Sequence, residues 1–309
     1  MTTINSKQVQ GSQLVFENAT FAAQKSLVEN HIEISVSEGV TIISVSAHTK
    51  AHIHILHNFH GTLPHTQIEI RIQSGAHALI IETYAVTEKL PKANITTNIA
   101  VGNGAHCEFI SLQHLSEGAQ FAQTISVQQS ENSHYTAHVY QICGSILHSK
   151  LGVEKIGTQA NTAIYGLSYP HRKEQFEFDT TVKHSCPDCE TAENFKIIAA
   201  DHSVGIFGGM IYVAPHAVKT AAQQSNKNIL LSPNARIFSK PQLEIYTDDV
   251  TCNHGSTTGQ LNNDALWYMQ ARGIAPETAK QLLIQAFVHE ITEKLPTQEL
   301  RDFVAAKVQ

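Results

Sequence analysis

Alternating apolar and polar positions recur along most of this 309-residue chain. Residues 32–37, 68–72 and 243–246 each place an apolar side chain at every second position. A period of two predicts strands with one buried face. No comparably long helical pattern separates these segments, which disfavours a doubly wound α/β fold because that fold needs a helix between parallel strands.

A weak repeat of a turn followed by a strand runs through the middle of the chain. Its turns end 29, 28 and 27 residues apart. A period of this length is typical of solenoids and propellers, and the lack of a Trp-Asp blade motif favours a β-solenoid. A β-sandwich with strands of similar length is the alternative. The residues that end the four turns are His77, His106, His134 and Asn161.

The C-terminal region has helical signals instead. Asn263 is predicted to cap a helix over residues 264–272, which Gly273 ends. Pro276 opens a second helix, and Thr297 caps a third. The second helix has an apolar stripe that either packs on the β region, the interpretation we favour, or docks another protein. This stripe consists of Leu282, Leu283, Ala286, Phe287 and Ile291.

These signals divide the chain into three parts. Residues 1–30 form a lead-in segment, of which residues 21–28 are compatible with either a short helix or a strand. Residues 31–260 form the β-solenoid, and residues 261–309 form a small helical domain.

The composition excludes several functional classes. With a net charge of −6 and a pI near 6.3, the chain lacks the basic character of nucleic-acid binders and of proteins held on anionic lipid. It has no apolar run long enough to span a bilayer and no secretory signal pattern. Five cysteines do not form a disulfide framework. We therefore expect a cytoplasmic protein without membrane or nucleic-acid partners.

Two groups of polar side chains suggest chemistry but have simpler interpretations. The chain contains 19 histidines, and five of them cluster near residue 57. His52 and His54 share a strand face with a workable ligand spacing, yet an outward polar face explains them better. Glu69, Glu82 and Glu108 lie on separate strands and do not pair as the acids of a sugar-cleaving solenoid enzyme would. We expect them on solvated faces. The clustered histidines are His52, His54, His57, His60 and His65.

Cys186 and Cys189 form a Cys-x-x-Cys pair, and His184 precedes it. Such a pair can bind zinc or iron, or cycle as a disulfide. A closed zinc site needs four ligands, and the surroundings are strand-like rather than the start of a helix. A structural pair is favoured, and a stand-alone metal-binding or redox protein remains the alternative function.

Cys252 and His254 lie two residues apart on an extended segment, so their side chains point the same way. Thiolate and imidazole together suit iron–sulfur chemistry or zinc. A packed junction between the β region and the helical tail explains the pair equally well.

The last third of the chain resembles the SufB/SufD family of iron–sulfur cluster assembly proteins. Within that family the chain is SufD-like, because Gly255 follows the histidine where SufB-type chains carry an acidic residue. The matching segments are residues 204–209 (VGIFGG), 220–232 (TAAQQSNKNILLS), 240–246 (KPQLEIY), 248–255 (DDVTCNHG), 258–261 (TGQL) and 271–274 (ARGI).

The resemblance implies a right-handed parallel β-helix followed by a helical domain. It implies a non-enzymatic scaffold subunit of a SufBCD complex, in which a SufB-like chain pairs with this one and a SufC-like ATPase, docked by the helical domain, hydrolyses ATP. The iron–sulfur cluster would be transient and shared with SufB, with none held tightly by the isolated chain. A homodimer is the alternative assembly of the isolated chain.

The resemblance also assigns residues. His254 and Cys252 match the histidine and cysteine at the cluster-assembly interface with SufB. Leu243 and Tyr246 would lie near that junction, and Tyr268 and Arg272 in the SufC-docking unit. The chain is shorter than is typical of SufD, so we expect it to lack most of the N-terminal helical region.

Overall fold

A computed structural model describes residues 12–17, 20–24, 31–59, 65–86 and 92–308. These residues form two long sheets followed by three helices. The strands are β1 (Ser12–Glu17), β2 (Thr20–Gln24), β3 (Ile32–Ser37), β4 (Val40–Val45), β5 (Lys50–Phe59), β6 (Thr66–Ile72), β7 (His77–Val86), β8 (Lys92–Val101), β9 (His106–His114), β10 (Gln120–Gln129), β11 (His134–Cys143), β12 (Ile146–Lys155), β13 (Asn161–Ser168), β14 (Gln175–His184), β15 (Glu190–Ala199), β16 (Val204–Val213), β17 (Thr220–Leu230), β18 (Arg236–Ile245) and β19 (Val250–Gly259). The helices are α1 (Asn263–Ala271), α2 (Pro276–Thr292) and α3 (Gln298–Ala305).

Successive strands alternate between the two sheets. From β4 onward the odd-numbered strands stack in one sheet, called the first sheet, and the even-numbered strands in the second sheet, each pairing in parallel with the strand one coil away. Only β1–β2 and β3–β4 pair antiparallel among the described strands. The result is a β-solenoid of about seven turns, as the sequence predicts. The described part of residues 21–28 belongs to β2, so the strand interpretation is confirmed there.

The predicted repeat is the coil of the solenoid. His77 pairs in register with His106, His106 with His134, and His134 with Asn161, on four consecutive strands of the first sheet. The imidazole rings of the three histidines stack, with adjacent ring centroids 4.3 Å apart. Each period of the sequence therefore adds one strand to each sheet.

One turn of each coil contains a residue in the left-handed backbone region. Gly75 and Gly104 occupy it at φ +67° and +61°, where a residue without Cβ is favoured. The N–H of each of these residues donates to a carbonyl in the same turn of the next coil. The later coils place an ordinary side chain at this position, namely Asn132, Gln159, Asp188 and Lys219.

Inside the solenoid, a large side chain on one strand lies next to a small residue on the adjacent strand. Phe195 packs against Gly166, where an added Cβ would lie 2.2 Å from the phenylalanine ring. The interior also contains charge, which corrects one prediction. Glu82 is fully buried rather than solvated, and its carboxylate accepts hydrogen bonds from Gln123 Nε2 at 2.6 Å and from Tyr84 Oη at 3.0 Å. These donors satisfy a carboxylate that burial would otherwise destabilise.

The three helices begin and end close to the predicted residues. The cap of α1 is Asn262, whose Oδ1 accepts from Ala265 N at 3.1 Å, so the prediction of Asn263 was wrong by one residue. Gly273 follows at φ +85°, Pro276 is the first residue of α2, and Thr297 caps α3. None of these helices is long and apolar enough to cross a bilayer.

The helical domain packs on the outer face of the first sheet. Ile284, Val288 and Ile291 of α2 are buried in a cluster with sheet residues that include Ile110 and Ile198. Packing on the β region is therefore confirmed, but the predicted stripe was partly wrong. Leu282 is 44% exposed, because apolar residues surround much of α2 and the sequence pattern alone does not select which of them face the sheet.

Candidate functional site

Cys252 and His254 lie on β19, at the open end of the solenoid. β19 ends the first sheet and β18 ends the second, and no strand among the described residues pairs with their outer edges. Cys252 pairs in register with Ala222, and His254 with Gln224. Both side chains are on the inward face of β19, about 6.6 Å apart along the strand.

The two side chains have different environments. Cys252 is half-buried, and burial raises the pKa of its thiol, partly offset by a hydrogen bond to the Ala222 backbone. His254 is exposed. The resting thiol is therefore protonated, and a metal must displace its proton to bind the thiolate. Thiolate and imidazole are both ligands for iron and zinc.

Polar side chains fill the interior next to this pair. Asn226 Oδ1 accepts from Asn228 Nδ2 at 2.6 Å and from Ser239 Oγ at 2.8 Å, and Ser239 Oγ lies 2.7 Å from Ser256 Oγ. These contacts join the last strands of both sheets. The sequence does not predict them, because polar residues at alternate positions of a strand are typical of its solvent face. The unusual run of inward amides in β17 is the only signal that marks them.

The Cys186–Cys189 segment is a turn of a coil. Asp188 is the left-handed residue of this turn, and its N–H donates to Val218 O at 3.0 Å. Cys189 is buried, its Sγ lies 3.4 Å from the carbonyl of Gly157, and burial raises the pKa of its thiol. His184 points into the interior instead, where its Nε2 lies 3.0 Å from Thr191 Oγ1. Burial lowers the pKa of His184 to about 3.

The histidines that are close together in the sequence near residue 57 lie in different environments in the structure. His52 is exposed, but His54 is buried with its Nε2 2.7 Å from Thr83 Oγ1, so the expected solvated face is wrong for His54. His57 is inside the solenoid, and His60 lies outside the described residues. Within the described ranges, no three histidine, cysteine or acidic side chains converge as a metal site would require.

The predicted partner residues occupy the open end and the helical domain. Leu243 of β18 is half-buried against the core, whereas Tyr246 is 55% exposed with its ring 5.3 Å from that of Tyr212. Tyr268 of α1 is 62% exposed, and the Arg272 guanidinium lies 4.8 Å from its ring centroid. α1 has no buried residue. Its aromatic side chains are therefore exposed at the surface.

Comparison with known proteins gives the same family as the sequence resemblance. Residues 54–287 match the family described as SUF system FeS cluster assembly, SufBD core domain. The chain is 29% identical to the iron–sulfur cluster assembly protein SufD of Escherichia coli strain K12, an alignment that covers 90% of this chain and 68% of that protein.

Two further relatives are covered less completely. An iron–sulfur cluster assembly SufBD family protein of Synechocystis is 27% identical over 85% of this chain and 61% of its own length. The chloroplastic protein ABCI7 of Arabidopsis thaliana is 28% identical over 76% of this chain and 50% of its own length. The match of one family model to most of the β-solenoid and the start of the helical tail shows that this chain belongs to the SufBD family of iron–sulfur cluster assembly proteins.

Proposed function

We propose that this chain is a SufD-like scaffold subunit that assembles nascent iron–sulfur clusters together with a SufB-like chain and a SufC-like ATPase. The observation that carries the proposal is the adjacency of Cys252 and His254 on a terminal strand whose outer edge is unpaired among the described residues. The similarity to SufD of Escherichia coli supports the SufD-like assignment.

The number of donors at the open end supports a shared site. Cys252 and His254 supply two donors, whereas iron–sulfur clusters are commonly held by four. A second chain must supply the rest, so a cluster here is a transient substrate rather than a resident cofactor of the isolated chain. The half-buried thiol and exposed imidazole are both close enough to the surface for a partner to meet them.

The exposed edges of β18 and β19 support a SufB-like partner at the same place. An unpaired strand edge offers a row of backbone donors and acceptors to another strand. Apolar side chains accompany it, since Phe238, Ile245 and Tyr246 are all exposed there. We therefore assign Leu243 and Tyr246 to this interface. In the isolated chain a second copy of the same chain would occupy it.

The helical domain is the proposed docking unit for the SufC-like ATPase. Trp267 and Tyr268 are 66% and 62% exposed on α1, next to Arg272. Large exposed aromatic side chains together with arginine are typical of protein interfaces. ATP hydrolysis would belong to the partner, and this chain would perform no covalent chemistry.

Anaerobic copurification of the tagged chain from its own cells tests the proposal. SufB-like and SufC-like chains should copurify with wild type and with His254→Ala, and the His254→Ala complex should hold less iron and sulfide. His202→Ala is the control, because His202 is an exposed histidine in a turn between strands.

Two outcomes would contradict the proposal. One is a lone chain with tightly held metal that is lost in Cys186→Ser/Cys189→Ser, which would favour the metal-binding alternative. The other is a His254→Ala complex with the wild-type content of iron and sulfide, which would remove His254 from the site.

A further inference from the structure

Three residues pair in register on adjacent strands near the open end: Glu193 pairs with Gln224, and Gln224 pairs with His254. The first of them has a buried carboxyl group. Glu193 of β15 is inside the solenoid, and its Oε2 accepts a hydrogen bond from Gln224 Nε2 at 2.5 Å. Burial raises the pKa of Glu193 to about 7. Both the carboxylate and the neutral acid keep an oxygen that accepts from an amide, so this bond persists in either protonation state.

Gly209 leaves the space that the Gln224 amide occupies. A Cβ on Gly209 would lie 2.5 Å from Gln224 Nε2, so only glycine leaves room for the amide where it is. Because Nε2 donates to Glu193, the opposite atom of the amide, Oε1, points away from that carboxyl. Gln224 Oε1 is buried and has no hydrogen-bond partner among the described residues. An unpaired buried acceptor is destabilising until a donor reaches it.

His254 is the residue that pairs in register with Gln224. The two side chains are on the same face of adjacent strands, whose backbones lie about 4.8 Å apart. A histidine that binds metal through one ring nitrogen usually donates its other ring N–H to a carbonyl or carboxylate oxygen. Gln224 Oε1 is an acceptor of that kind, and it lacks a donor.

We propose that Glu193 and Gln224 are positioning residues for His254: Glu193 orients the Gln224 amide, whose Oε1 accepts the His254 ring N–H and thereby leaves the other ring nitrogen for iron. This inference rests on the proposed function of His254. It adds two residues to the site, neither of which touches the cluster.

Nitrogen NMR of the histidine rings tests the orientation directly in the full chain. With ¹⁵N-labelled histidine, the His254 signals are identified by their loss in His254→Ala. Gln224→Met and Glu193→Leu should each change the ratio of the two His254 tautomers at least twofold. Glu193→Gln keeps an accepting oxygen and should retain the wild-type ratio.

Gln123→Met is the matched control, because Gln123 Nε2 donates to the buried carboxylate of Glu82 at 2.6 Å in a distant coil. It should leave the His254 tautomers unchanged. An unchanged tautomer ratio in folded Gln224→Met overturns the inference. If Gln224→Met does not fold, Gly209→Ala displaces the same amide and gives the same readout.

Iron content of the copurified complex separates this inference from the proposed function. Gln224→Met and Glu193→Leu complexes should lose iron several-fold, as His254→Ala does, while Glu193→Gln retains it. Loss of iron in His254→Ala but not in Gln224→Met overturns only the positioning role. Retention of iron in His254→Ala overturns the proposed function itself.

Discussion

Lys196 anchors the helical domain to the solenoid, and its removal should weaken that attachment. Lys196 is on the outer face of β15 and is almost fully buried beneath α2. Its Nζ donates to Phe287 O and to Glu290 Oε2, each at 2.5 Å, and lies 4.3 Å from the centroid of the Phe287 ring. Lys196→Met keeps the length and volume of the side chain but removes the charge and the donors.

The contacts give the expected magnitude. A hydrogen bond from a charged donor contributes about 1.5–3 kcal/mol, and Lys196→Met removes this bond to the Phe287 carbonyl. The pair with Glu290 adds roughly 1 kcal/mol at most, because the Glu290 side chain is 58% exposed and keeps Lys227 as a second partner. The substitution should therefore weaken α2 docking by about 2–3 kcal/mol, which raises its opening equilibrium about 30- to 150-fold.

Hydrogen exchange of the α2 amides measures this opening directly. Lys183→Met is the control, since Lys183 pairs with Glu154 at 2.8 Å on an exposed strand face and should change stability by less than about 1 kcal/mol. Equal exchange in the two variants would refute the reasoning. A coupling energy well above about 1 kcal/mol between Lys196→Met and Glu290→Gln in a double-mutant cycle would contradict the small share assigned to this ion pair.

Three further predictions concern the interior and the turns. Asp188→Val should destabilise the fold by about 1–2 kcal/mol and so lower the midpoint of urea unfolding, because Asp188 has φ +58°. Asp188→Gly should not lower the midpoint, and equal midpoints for the two variants would contradict this. Glu82→Leu should destabilise the fold by about 1–3 kcal/mol in urea unfolding, because the Gln123 amide and the Tyr84 hydroxyl lose their carboxylate acceptor and keep the bonds to each other and to Ser111; a neutral effect would contradict it. Because burial raises the pKa of Glu193 to about 7, the native state keeps a proton that the unfolded chain releases near pH 4.3. The free energy of unfolding should therefore decrease as the pH rises from about 4.3 to 7, and Glu193→Gln should remove this decrease. If the free energy of unfolding of Glu193→Gln depends on pH as that of wild type does, Glu193 is not the source.

Much of the fold is predictable because each coil of a solenoid repeats the same sequence pattern of a turn followed by a strand. Each strand pairs with the strand one coil away, so the period that separates His77, His106 and His134 also gives the pairing register. The period becomes hard to see where glycine is no longer used at the left-handed turn position, as at Gln159 and Lys219. Those residues carry no turn signal, yet hydrogen bonds to the next coil hold them in the same conformation.

The interior polar residues were not predictable from alternation. Hydrophobic patterning assigns the polar side of a strand to solvent, so Glu82 is assigned to the wrong face, and nothing in the pattern marks Glu193 and Gln224 as buried. Each makes a hydrogen bond inside the solenoid to a residue on another strand, one or more coils away, and a single sequence does not reveal such partners. Cys252 and His254 were identified by family resemblance and by their shared strand face, but the amide and carboxyl behind them emerge only from the register of three coils.

The open end explains why one location can serve as both interface and site. Every inner coil buries its inward side chains against the next coil, but in the described part of the chain no further coil covers β18 and β19, so the inward residues His254 and Ser256 remain exposed. For the same reason the outer edges of β18 and β19 are unpaired among the described strands, and Cys252 and His254 are two side chains able to bind metal where a cluster is commonly held by four. A partner that pairs with these edges would therefore supply ligands and exclude solvent in one event, and its departure would reverse both. Under the proposed function, retention and release of a cluster follow from association and separation at the end of the solenoid.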